Sequence, residues 1–135
     1  MTSDESYELF WKIPDFLKRK EKVNEIIVSP EFTIIDGHDK LAKVALLLYP
    51  KGLYNSEYVD VSLSKRSTEY SEVACRCYIL STQNRYEHEV FVQYLRNIYE
   101  VISIAELERK DSTLLPDGAL TLVIKFNKPG RLSMK

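Results

Sequence analysis

The chain has 135 residues, 44% of them hydrophobic, a net charge of −1 and a pI near 6.1. That length fits one domain, which buries about two thirds of its unfolded surface without disulfides or metals. The balanced charge supplies no basic field for nucleic acid or anionic lipid, and the apolar and aromatic content excludes a disordered tail.

Met1–Ser6 is polar and acidic and reads as a tail, not a secretory signal. Nowhere does the chain approach the roughly 18–20 apolar residues of a membrane span, so the expected setting is intracellular, cytoplasmic or nuclear. Tyr7–Ile13 sets Tyr7, Leu9, Trp11 and Ile13 against Glu8, Phe10 and Lys12, which predicts a first strand with Trp11 in the core. Pro14 ends it. Asp15–Lys22 is a charged connection with one helical turn, anchored by Phe16 and Leu17. Its Lys18, Arg19, Lys20 and Lys22 are interrupted by Glu21 and read as a solvated turn. Glu25–Ile35 resumes as strand, and Pro30 forces an edge or a bend there because it cannot donate to a ladder. Asp36–Asp39 is a turn.

Leu41–Ser64 predicts a hairpin. Ala42, Val44, Leu46 and Leu48 share one side of a central strand. Val59, Val61 and Leu63 oppose Asp60, Ser62 and Ser64, giving the second strand one dry and one wet face. Pro50 and Gly52 punctuate the connection. Lys65–Ser71 is a polar loop. Glu72–Leu80 is a strand with Val73, Cys75, Cys77 and Ile79 on one side and Ala74, Arg76, Tyr78 and Leu80 on the other. The two cysteines are too close along one strand to bond each other, so they read as free, buried thiols of a reducing compartment. Neither His38 nor His88 completes a zinc-type spacing with them.

Ser81–Tyr86 is a turn, Glu87–Gln93 a short strand, and Tyr94–Val101 less regular. Ser103–Lys110 predicts a helix: Ser103 caps it, Glu106 completes a capping box, and Arg109 and Lys110 suit the dipole at its end. Ile104 and Leu107 give the helix an inward stripe. Asp111–Gly118 is a loop, and Ala119–Phe126 is the last strand, burying Leu120, Leu122, Ile124 and Phe126. Seven or eight short strands and one late helix make an all-β, antiparallel β-sandwich over residues 7–127, with tails at 1–6 and 128–135.

No catalytic pattern emerges. The chain lacks G-x-S-x-G, a glycine-rich phosphate loop and H-E-x-x-H, and it has only four glycines. Cys75 with His88 would be a nucleophile and base, but Cys75 falls on the core face, where a thiol is inert. The expectation is a binding protein, not an enzyme, with no cofactor and no metal.

Several pieces, in this order and spacing, resemble the MATH domain, the meprin and TNF-receptor-associated-factor homology fold. They are FWKIPDF at Phe10–Phe16, IVSPEF at Ile27–Phe32, LLLYPKG at Leu46–Gly52, YVDVSLS at Tyr58–Ser64, CYIL at Cys77–Leu80, FVQ at Phe91–Gln93 and LLPDGALTL at Leu114–Leu122. The closest likeness is to the substrate-binding domain of speckle-type POZ adaptors. The resemblance implies an eight-stranded sandwich with one short helix before the last strand. It also implies a shallow groove in which an extended peptide adds main-chain hydrogen bonds to a strand. In speckle-type adaptors a separate BTB domain bridges to a cullin-type ubiquitin ligase.

Carried over residue by residue, the groove falls on Ser62, Cys75, Glu89, Tyr94, Arg96, Asn97 and Tyr99. Ser62, Cys75 and Glu89 stand where the family has aromatics, and Tyr94 and Tyr99 are the aromatics left near its Trp-Gly-Phe loop. The groove is therefore expected to be polar, taking a different peptide, one with a basic residue opposite Glu89. Two other readings stay open: a self-associating scaffold, and a sandwich that binds a small ligand or carbohydrate in a cavity. The end at Lys135 reads as that of a fragment, or of a stand-alone duplicate without its BTB partner.

Overall fold

The computed structural model describes residues 5–35, 41–54, 57–65, 73–93 and 97–128, and the side chains of 5, 6, 35, 65, 127 and 128 lie outside that description. The described residues form nine strands: β1 (Glu5–Ile13), β2 (Ile27–Val28), β3 (Phe32–Ile35), β4 (Leu41–Tyr49), β5 (Tyr58–Lys65), β6 (Ala74–Leu80), β7 (Tyr86–Gln93), β8 (Tyr99–Ser103) and β9 (Leu120–Lys128). A short helix, α1 (Ile104–Leu107), follows β8. One sheet runs β1-β9-β6-β7. The other runs β2-β4-β5-β8, with β3 also on β4. All pairings are antiparallel, so the chain is the expected all-β sandwich.

Two-residue alternation decides the core. Cys75, Cys77 and Ile79 of β6 and Leu120, Leu122 and Ile124 of β9 are buried in one cluster with Val44, Leu46 and Leu48 of β4 and Val59, Val61 and Leu63 of β5. Each large aliphatic among them contributes about 1.5–3 kcal/mol by leaving water. Trp11 packs against this cluster and stays partly exposed.

The ninth strand comes from Pro30. The predicted strand 25–35 breaks around it into β2 and β3, which both pair with β4. At the break, Ser29 Oγ accepts the buried Leu46 N–H at 2.9 Å and donates to the Pro30 carbonyl at 2.9 Å. A side chain thus stands in for the missing ladder bond.

Other expectations are corrected. Phe16 is buried in a 3₁₀ turn over Phe16–Lys18, but Leu17 is 43% exposed and anchors nothing. The late helix is four residues long. Ser103 Oγ does accept the Glu106 N–H, at 3.2 Å. Arg109 lies past the helix end and forks onto Asp111. The stretch read as irregular holds the first part of β8, whose period is broken by a bulge. Val59 faces Ile102 and Asp60 faces Glu100, which leaves Val101 as the extra residue. Ser62 and Asp60 are buried, not wet. β5 is central, Ser62 sits opposite Leu47, and a small side chain there is shielded by larger neighbours. The predicted turn at 36–39 and most of the loop at 65–71 lie outside the described residues. Among the described residues no helix is long and apolar enough to cross a membrane.

Candidate functional site

The outward face of the β1-β9-β6-β7 sheet carries the most distinctive side chains. Register lines up Glu8, Lys125, Arg76 and Phe91 as one row across all four strands. Phe10, Val123 and Tyr78 form the next row. Neighbouring strands are about 4.8 Å apart, so each row is a continuous surface. Lys125 and Arg76 stand directly opposite each other, a like-charge pairing that is unfavourable unless both find anions.

Both cations do find anions, and both lie on rings. Arg76 Nε reaches Glu89 Oε2 at 2.8 Å, and the guanidinium carbon sits 5.0 Å from the Phe91 centroid. Lys125 Nζ lies 3.6 Å from Glu8, 5.6 Å from the Tyr78 ring and 5.3 Å from the Tyr86 ring. Tyr86 donates to Glu8 at 2.8 Å, and Tyr78 donates to Glu89 at 3.1 Å. Those bonds hold protons on the phenols: the Tyr86 pKa is raised chiefly by its bond to Glu8, and that of Tyr78 by desolvation and then by Glu89. Phe10 packs edge-on against Tyr86 with centroids 6.3 Å apart. Phe10 is 52% and Phe91 44% exposed. Ala74, Arg76, Tyr78, Glu89, Phe91 and Lys125 surround an open hollow of about 530 Å³.

A second bulge assembles this shelf. Cys77 faces Val90 but Ile79 faces Glu87, so His88 and Glu89 share the place opposite Tyr78. His88 takes φ 59°, a left-handed conformation rare outside glycine but tolerated by histidine. Its Nε2 lies 3.5 Å from Glu106 of α1.

Among the described residues β7 also ends its sheet. The Tyr99 hydroxyl donates to the Gln93 carbonyl at 2.6 Å and accepts the Gln93 N–H at 3.3 Å. The Gln93 backbone therefore points away from β6. By alternation the N–H and C=O of Phe91 point the same way, out of the sheet edge.

The residues predicted for the groove are not drawn together as a set. Ser62 is buried in the other sheet, and Cys75 borders the same hollow as Glu89 but is itself buried in the core cluster, which pushes its thiol up to about 12. Glu89 is on the shelf, already engaged by Arg76 and Tyr78. Asn97 is exposed and donates to the Tyr99 hydroxyl at 3.5 Å. Tyr99 is half-buried and closes the end of β7. Tyr94 and Arg96 lie outside the described residues. Phe10, Arg76, Tyr78, Tyr86, Phe91 and Lys125 went unselected, although the outward alternation of Arg76 and Tyr78 is visible in the sequence. No family model and no curated protein matches the chain. Among the described residues no group of three or more His, Cys, Asp or Glu could hold a metal ion. A second hollow, of about 490 Å³ beside Lys51, Tyr58, Ile104 and Glu108, has no comparable array of rings and charges.

Proposed function

We propose that the chain is a protein-interaction module that captures a short extended segment of a partner protein along β7. The observation that carries this reading is the outward-facing Phe91 backbone on a sheet-end strand, beside the open hollow. An added strand would exchange main-chain hydrogen bonds with Phe91, and its alternate side chains would drop onto the shelf. Backbone pairing supplies affinity and the shelf supplies choice. A single short edge buries little area, so the affinity expected is micromolar. The resemblance to MATH domains supports the same mode of capture. It alone supplies the wider role, delivery of the captured protein to ubiquitin-ligase machinery through a separate BTB domain.

The test is selection of short random peptides against the intact chain, followed by titration of a selected peptide into the ¹⁵N-labelled protein. The amide of Phe91 is expected to shift first. Phe91→Pro removes that outward N–H and leaves the bonds to β6, so it is expected to lower affinity about tenfold while the thermal melt shows a folded chain. A selection that enriches no peptide, or shifts that spare β7, would remove the reading.

A further inference from the structure

We infer that the segment captured on β7 carries an aspartate or glutamate, and that Arg76 reads it. This rests on the peptide reading above and adds the chemistry of the partner.

In the row Glu8–Lys125–Arg76–Phe91, the next position belongs to the incoming strand, and its side chain would rise on the same face as Phe91. The Arg76 guanidinium already leans over the Phe91 ring, toward that position, with the carbon 5.0 Å from the centroid. A carboxylate one strand beyond Phe91 is within reach of it, and a planar fork suits a carboxylate better than any neutral acceptor. Lys125, directly behind Arg76, raises the local positive potential. The chain answers that potential internally with Glu89, which takes Arg76 Nε at 2.8 Å. Glu89 thus sits where a partner's acid would compete. This reverses the expected preference for a basic residue, because the Glu89 carboxylate is already occupied by Arg76 and by the Tyr78 hydroxyl, at 3.1 Å. A lysine would have to displace both and would meet Arg76 and Lys125.

The experiment uses the intact chain and the peptides selected from the random pool. One acidic position is expected to be enriched. Replacing that acid by its amide should weaken binding about tenfold, the loss of one charge-assisted hydrogen bond. The penalty should vanish in Arg76→Gln. Glu89→Gln, which removes the internal competitor, should bind the acidic peptide more tightly than the parent chain does. Binders with no acidic position overturn the inference and leave the capture reading standing, as does an amide penalty that persists in Arg76→Gln. A phosphoserine peptide that binds when its glutamate counterpart matches the alanine one also overturns it. A pool that yields no binder removes both readings.

Discussion

Ser29 shows how one side chain repairs a broken strand. Pro30 costs β4 a ladder partner, and Ser29 Oγ takes up the orphaned Leu46 N–H. Ser29→Ala leaves that buried donor unpaired and is expected to cost about 1–3 kcal/mol in urea denaturation. The sequence shows Pro30 and its consequence, but a serine that bonds backbone resembles any polar loop residue. Asp60 is a similar case. Alternation puts it on a face that ought to be wet, yet the connection after β4 folds back and gives it the Leu53 N–H at 3.0 Å, while Oδ1 is buried without a partner. Burial raises its pKa, against the lowering by that N–H. The folded chain therefore holds this proton more tightly than the unfolded one. The stabilisation is complete below the ordinary aspartate value, about 3.9, and is lost as pH rises through the higher folded value. Asp60→Asn removes the titration. Its stability relative to the parent chain should improve between about pH 3 and about pH 7 in urea titrations. A pH-independent difference would contradict the assignment.

At the scale of elements, β7 and β8 end different sheets and are stitched by one hydroxyl. Tyr99→Phe removes both bonds to Gln93 and is expected to cost about 1–2 kcal/mol, with faster hydrogen exchange at the Gln93 amide. Unchanged exchange there would show that the tie is not formed in solution. The hairpin of β4 and β5 was legible because its apolar residues recur every second position without interruption. β8 was not, because the extra Val101 puts two buried residues, Val101 and Ile102, in succession and erases the period. The predicted helix at Ser103 was overlong for a different reason. Arg109 fits a helix end on paper, but in the fold it is satisfied by Asp111 two residues on.

For the molecule as a whole, the core pattern was readable and the site was not. The shelf depends on β1 and β7 standing at opposite ends of one sheet, with β9 and β6 between them. Sheet order joins Phe10 to Tyr86 across most of the chain length, and no local period encodes that. The same sheet seals the thiols. Cys75 is pushed up to about 12 and Cys77 higher, both by burial, with Cys75 adding to the shift at Cys77. A disulfide reagent should find neither of the two thiols in the folded chain and both in urea, so their labelling rate follows global opening. Prompt labelling of the native protein would contradict the burial.

The bulge at His88 fixes how this surface tolerates change. Tyr86 and Phe91 are five positions apart, an odd number that sends side chains to opposite faces of a regular strand. The extra residue brings them to the same face. Loss of the single codon for His88 would shorten that separation to four, an even number, so a regular strand with Glu89 alone opposite Tyr78 would still hold Tyr86 and Phe91 on one face. In the gene, the bulge is a place where three bases can be lost without changing the side that the flanking rings take.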